Sequence, residues 1–170
     1  AIVTLISGPV HIGINNPDVK VINITSAAEM KTQCDKAFDE NDIIIMTAAV
    51  ADYTPENSAP EKIKKKESME LKLKLTDDIL ASMGKKKKQG QFLVGFALET
   101  ENEKSNAIAK LNNKNLNMIV LNSLKDKGAG FGTDTNKVTM LFPDKSEIVT
   151  DTLPKLKIAG MILDAIVNRS

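Results

Sequence analysis

Three apolar runs without polar alternation, Ile43-Ile44-Ile45-Met46, Phe92 to Ala97 and Met118 to Leu121, constrain this chain more than any other feature. A strand with one face in water alternates polar and apolar residues. One that is apolar throughout suits a position covered by helices on both faces. The first run is therefore expected to be a central parallel strand. Between the second and third, Ala107, Ile108 and Leu111 make a helical stripe within Asn102 to Asn113, so the order is strand, helix, strand. Ile2 to Ile6 and Val19 to Ile24 read as two earlier strands, closed by Ser7-Gly8-Pro9 and by the cap-like Ser26-Ala27-Ala28-Glu29. Met30, Cys34, Ala37 and Phe38 then share one helical face, up to the polar break at Glu40-Asn41. Lys137 to Phe142 and Glu147 to Thr150 flank Pro143-Asp144-Lys145-Ser146 as a hairpin, before a closing helix with Thr152 as cap and Pro154 in its first turn.

The expected class is thus α/β: a three-layer αβα, Rossmann-like arrangement with a mostly parallel, mixed sheet and a C-terminal hairpin. The 170 residues suit one domain, since a chain of this size buries roughly 70% of its unfolded surface. No apolar run approaches the ~18 to 20 residues of a membrane span, and a net charge of +1 lacks the cationic footprint of a duplex binder, so neither membrane nor nucleic acid is expected as a partner. A single cysteine, Cys34, excludes an internal disulfide, fits a reducing cytoplasm and reads as core. Ala1 leads straight into a buried-looking strand, from which an upstream segment is expected. Ala51 to Glu70, with its small polar clusters and lysines, is expected to be a mobile loop, and Lys85 to Lys88 a solvated tract after a helix end at Gly84.

In open α/β sheets ligands sit beyond the carboxyl ends of the strands. After the first run come Thr47-Ala48-Ala49-Val50-Ala51-Asp52-Tyr53, where alanines permit close approach of a planar group and Asp52 offers an acceptor; a small-residue turn is the equal alternative. Phe96, near the end of the second, either stacks on a base or packs in the core, the latter being the commoner fate. Lys110 and Lys114 stand four apart, an arrangement that costs a few tenths of a kcal/mol unless an anion lies between them, and otherwise is simply an exposed pair. Lys62 and its neighbours suit a cationic flap over a polyphosphate, or a solvated charge run. Thr76-Asp77-Asp78-Ile79-Leu80 reads as a helix start whose free amides suit an anion or a base edge, although many such starts bind nothing. Gly128-Ala129-Gly130-Phe131-Gly132 lacks the third glycine of a dinucleotide fingerprint and precedes a strand, and no P-loop is present. His11 stands alone, so no metal ligands are assigned.

In order and spacing, Ser7-Gly8-Pro9, Thr47 to Tyr53, Ala59-Pro60-Glu61-Lys62-Ile63-Lys64-Lys65, Val94-Gly95-Phe96-Ala97-Leu98-Glu99-Thr100 and the Lys110/Lys114 pair resemble bacterial phosphopantothenoylcysteine synthetases over nearly the whole chain. The resemblance implies a ligase of coenzyme A biosynthesis that joins 4'-phosphopantothenate to L-cysteine, with CTP as co-substrate, Mg2+ and an acyl-cytidylate intermediate. It implies a homodimer and an N-terminal decarboxylase domain in the native polypeptide, FMN belonging to that domain alone. By similarity Lys62 is the flap lysine at the triphosphate, and Ala49 lends backbone to the acyl-nucleotide. Met46, Thr47, Ala48, Asp52, Asp77, Asp78, Ile79, Leu80, Phe96, Lys110 and Lys114 line the nucleotide site. Many members carry Asn-Pro-Asp-Ile where this chain has Thr76-Asp77-Asp78-Ile79, which leaves CTP against ATP open. The family's first strand, its glycine- and serine-rich loop and the asparagine within it have no counterpart here, so the 170 residues alone are expected to be inactive. An NAD(P)-binding oxidoreductase and a noncatalytic nucleotide-sensing or dimerisation module are the alternatives; the missing glycine fingerprint, and the lack of a lysine four residues after Tyr53, count against the first.

Overall fold

The computed structural model describes residues 1–57, 59, 61–65, 67–123 and 132–169. In chain order its elements are β1 (Val3–Ser7), β2 (Val19–Asn23), α1 (Ala27–Phe38), β3 (Ile43–Met46), β4 (Tyr53–Pro55), β5 (Leu73–Leu75), α2 (Ile79–Lys86), β6 (Phe92–Glu99), α3 (Glu103–Asn113), β7 (Met118–Ser123), β8 (Thr135–Asn136), β9 (Val138–Leu141), β10 (Glu147–Val149), β11 (Leu153–Pro154) and α4 (Lys155–Val167). They fall into two compact units, one of residues 1–37 and 48–78, the other of 38–47 and 79–170.

The larger unit is built on a five-stranded sheet in the order β10-β9-β7-β6-β3. β3, β6 and β7 run parallel, and β9 and β10 antiparallel, so the sheet is mixed as expected and ends in the foreseen hairpin. On one face Phe92, Val94, Met118, Val120, Val138 and Met140 form a core with Ile158, Ile162, Ala165 and Ile166 of α4. On the other, α3 packs over β6 and β7, and Leu80 of α2 lies against Gly95. Helices on both sides of one sheet make the three-layer αβα arrangement. The apolar runs of β6 and β7 follow from it: both faces are covered, and Leu93, Val94, Met118 and Val120 are fully buried. Each such side chain contributes about 1.5 to 3 kcal/mol by leaving water.

Three expectations need correction here. β3 is not central but the edge of its sheet, and Ile43 is 42% exposed; a β-branched run reports strand propensity and not the number of neighbours. Gly84 does not end α2, which continues to Lys86; a Cβ there would land on the Lys114 carbonyl, so the glycine serves close packing. Thr152 does not cap α4. Pro154 holds the N-cap position with φ −53 and ψ 139, paired with Thr135 in the small β8–β11 ladder.

Polar ties fix the amino ends of β6 and β7. Asn117 Oδ1 accepts from the Leu93 amide at 3.0 Å and from Lys87 Nζ at 2.8 Å, while Lys87 also donates to the Asn115 carbonyl at 2.6 Å. The buried Gln91 amide donates to the carbonyls of Phe38 and Asn41 at 2.7 and 3.0 Å. Lys87 and Lys88 are therefore not idle members of a solvated tract; Lys88 pairs with Asp39 at 2.6 Å.

In the smaller unit, β1 and β2 are a parallel pair. The capping box is present in modified form: Ser26 Oγ accepts from the Glu29 amide at 3.2 Å, while the Glu29 carboxylate reaches the amide and hydroxyl of Thr25 at 2.7 and 2.9 Å. Those bonds hold the Glu29 carboxyl below its usual pKa, the Thr25 amide contributing most. Met30 and Cys34 of α1 are buried, and burial pushes the Cys34 thiol upward, as the core reading of that cysteine requires. β4 and β5 form an antiparallel ribbon that the sequence reading did not foresee. The segment expected to be irregular loop thus contains the strand Tyr53–Pro55. Pro60 and Lys66, and Gly128 to Phe131 of the rejected glycine motif, lie outside the described residues.

Candidate functional site

The residues singled out from the sequence belong to two groups, one in each unit. In the larger unit, β3 delivers Met46 and Thr47 at its carboxyl end, in register with Gly95 of β6, so Phe96 is one residue further along the neighbouring strand. Phe96 is half-buried against the α4-side core. Leu80, half-buried, contacts Gly95 from the α2 side, and Ile79 is buried. Phe96 and Leu80 therefore approach β6 from opposite faces of the sheet. Gly95 is what lets Leu80 so close, since a Cβ there would come within 2.7 Å of Leu80 Cδ2.

At the end of β6 one member of the lysine pair, Lys110, acquires an anion from the protein itself. Lys110 Nζ donates to Glu99 Oε1 at 2.6 Å, and Asn106 Nδ2 reaches Glu99 Oε2 at 3.3 Å. Glu99 is 13% exposed and is a residue that spacing had not singled out. Its signal was available, because a carboxylate at the carboxyl end of a parallel strand points to where the following helix begins. Lys114 is the C-cap of α3, its amide bonded to the Lys110 carbonyl at 3.0 Å.

In the smaller unit, Ala48 and Ala49 are exposed and the Val50 amide bonds the Ala48 carbonyl at 3.1 Å, a tight turn that small side chains leave uncovered. The ribbon brings Asp52 beside Thr76, whose amide donates to the Asp52 carbonyl at 2.8 Å, so Asp52 and Asp77 come from segments joined by the ladder. Thr76 Oγ1 is buried without a hydrogen-bond partner, and Asp77 contributes to the field that raises the Lys31 ammonium, after the bond and charge of Asp35. Asp78 and Lys62 are exposed, Lys62 on the connection between β4 and β5. A separate cavity of about 640 Å3 lies among Leu5 and Ser7 of β1, Val21 and Asn23 of β2 and the loop between them; Ser7, Gly8 and Pro9 of the first motif line it, and none of the residues assigned to the nucleotide does.

The description of a known family, the DNA/pantothenate metabolism flavoprotein C-terminal domain, matches residues 1–169. The chain belongs to that family. Within it, the chain is 49% identical over 168 residues to a cysteine/cysteine sulfinic acid decarboxylase from an unassigned prokaryote, covering 98% of this chain and 46% of that protein. It is 45% identical over 165 residues to the coenzyme A biosynthesis bifunctional protein CoaBC of Bacillus subtilis, covering 96% of this chain and 40% of the relative. The crystal structure of a CoaBC C-terminal domain superposes with a TM-score of 0.79 at 33% identity, over 97% of this chain and 72% of that one. The chain thus spans less than half the length of those two curated relatives, and the flavoprotein C-terminal domain is what it shares with them. The resemblance read from the motifs and the Rossmann-like αβα fold both stand on these matches. No helix among the described residues is long and apolar enough to cross a membrane.

Proposed function

We propose that this flavoprotein C-terminal domain is the ligase part of a coenzyme A biosynthesis protein, joining 4'-phosphopantothenate to L-cysteine at the expense of CTP, as a homodimer in the cytoplasm. The observation that carries the reading is the family match over residues 1–169, with 45% identity to CoaBC of Bacillus subtilis. The decarboxylase activity in the name of the 49%-identical relative belongs, on this reading, to the part of that protein which this chain does not span, as does any FMN.

The carboxylate oxygen of phosphopantothenate attacks the α-phosphorus of CTP, forming an acyl-cytidylate as pyrophosphate leaves. The cysteine amine then attacks the acyl carbon, loses its proton, and CMP departs. Two anions must meet in the first step, so cationic groups and positioning supply most of the rate. In this scheme the exposed Lys62 ammonium closes on the triphosphate. Ala49 lends backbone to the acyl-nucleotide; Met46, Thr47, Ile79, Leu80, Phe96 and Lys114 of the larger unit, and Ala48, Asp52, Asp77 and Asp78 of the smaller, are each assigned to nucleotide binding. Lys110 takes part while tethered by Glu99, which orients its ammonium. Mg2+ is proposed as the counter-ion of the triphosphate, with no residue of this chain assigned to hold it.

The test is release of CMP and pyrophosphate by the full native polypeptide supplied with phosphopantothenate, cysteine and CTP, with ATP in a parallel reaction. Stoichiometric release with CTP is expected. Turnover with ATP alone would remove the pyrimidine preference, and none with either would remove the ligase.

A further inference from the structure

Helix α4 is apolar on two opposite faces. Ile158, Ile162, Ala165 and Ile166 turn to the sheet and are buried. On the far side Leu156, Leu163 and Val167 are 87, 52 and 69% exposed, and Gly160 among them has open space around it. Along the chain these positions are separated by four, three and four residues, the spacing of a seam on which one helix packs against another. A surface helix ordinarily turns polar residues outward there. Two opposite charges, Lys157 and Asp164, flank the seam on one side, two helical turns apart. Among the described residues neither has an ion-pair partner.

We propose that this outer face of α4 packs antiparallel against the same face of a second copy, about a two-fold axis level with the Met161–Ile162 peptide. Every seam position is then filled. Leu156 lies against Val167 of the second copy, and Leu163 seats over its Gly160, where no side chain stands in the way. A two-fold axis normal to the helices sets each flank against itself, so Lys157 comes beside Asp164 of the second copy, twice. Charge selects the register and the direction. A slip of one heptad one way brings Lys157 against Lys157 and leaves Val167 uncovered; the same slip the other way brings Asp164 against Asp164 and leaves Leu156 uncovered. A parallel pair sets Lys157 beside Thr152 and Asp164 beside Ala159, with no ion pair. A contact of one helix on one helix is smaller than a standard interface and belongs to the weak, concentration-dependent class. It lies on the larger unit and needs neither the ligase chemistry nor the homodimer of the proposed function.

Disulfide trapping and molecular mass in solution test it on the full native polypeptide, with Cys34 replaced by alanine. Residues 156 and 167 of one helix are about 16 Å apart, too far for a disulfide within a copy, whereas across the axis they meet. Leu156→Cys with Val167→Cys is expected to join two copies on mild oxidation, and Leu156→Cys alone to join none, since its two copies also stand about 16 Å apart along the seam. Lys157→Asp or Asp164→Lys alone should weaken the association about tenfold, and the double exchange should restore it. These side chains lie away from the sheet, so the urea midpoint of each variant should stay that of the parent. If the polypeptide is already dimeric through another face, the contact takes the mass from two copies to four, and trapping reads it in either case. No trapping of the double-cysteine variant, trapping by Leu156→Cys alone, or association indifferent to both charge reversals would each overturn the proposal. Mass and trapping report association and CMP release reports the ligase, so either reading can fail without the other.

Discussion

The five-stranded sheet and the β4–β5 ribbon obey the same rule of alternation with opposite outcomes. On β6 successive side chains enter two different cores, one under α4 and one under α2 and α3, so Leu93 and Val94 are both wholly buried. On β5 successive side chains, Leu73 and Lys74, both meet solvent. The first region is held by packing and offers little chemistry. The second holds or adjoins most of the proposed reactive groups, Ala49, Asp52, Lys62 and Asp77 among them, on backbone that burial barely constrains. Substitutions in the first should therefore change stability, and those in the second should change turnover with little effect on stability.

Two glycines give the largest contrast within the packed region itself. Gly84 of α2 lies against the Lys114 backbone, and its carbonyl accepts from Asn115 Nδ2 at 2.9 Å. Gly160 of α4 has open space around it. Gly84→Ala should destabilise by about 3 kcal/mol or more, since the obstruction is backbone and cannot swing away. Gly160→Ala should stabilise by up to about 1 kcal/mol through helix propensity. Urea unfolding of the two variants decides it. Equal midpoints would mean that α2 does not sit as closely on the residues after α3 as described.

Lys62→Gln probes the other region. Turnover should fall about 100- to 1000-fold, the size of effect seen when one preorganised charge-stabilising donor is removed, while the urea midpoint stays unchanged. Near-native turnover would remove the flap mechanism. Lys110→Gln should cost less, because its ammonium already spends part of its interaction on Glu99. The Michaelis constant for CTP should rise severalfold with turnover nearly preserved, and Glu99→Gln should raise it in the same direction if Glu99 serves to orient Lys110.

The sequence carried more of the packed region than of the exposed one, for a physical reason. The runs Phe92 to Ala97 and Met118 to Leu121 declare their environment because nothing polar survives with both faces covered. Ile43 to Met46 carries the same signature without the same surroundings, and only pairing partners could place it at an edge. Gly84 misled because glycine both ends helices and admits close neighbours, and the neighbour here, Lys114, is thirty residues away. β5 was legible in principle: Met69, Leu71, Leu73 and Leu75 alternate with Glu70, Lys72 and Lys74. The lysines around it read instead as loop. Of the candidate site, the motifs located the strand ends and the exposed turn. The bond from Lys110 to Glu99 depends on how α3 returns over β6, which no local spacing encodes.

The smallest effect concerns the hairpin between β9 and β10. Asp144 accepts from the Ser146 hydroxyl and amide at 2.5 and 2.9 Å and from Arg169 Nη1 at 3.1 Å, and the guanidinium lies 3.8 Å from the centre of the Phe142 ring. The Ser146 hydroxyl is the largest of the influences that lower the Asp144 carboxyl from its ordinary 3.8 to about 2. A carboxyl depressed on folding adds stability that is complete above its unfolded pKa, so this contribution is intact above about pH 4 and disappears as pH falls through about 2. Because the group is open to solvent, its effect on global stability is small, and the direct reading is its own titration by NMR. The midpoint should lie near 2 in the native chain and move toward 3.8 in Ser146→Ala. Arg169→Ala should move it less, since the arginine acts after both Ser146 bonds. An Asp144 midpoint that ignores the loss of Ser146 would show that the turn is not held by the side-chain bonds described, and that even the ordered sheet has an edge as loosely constrained as the ribbon.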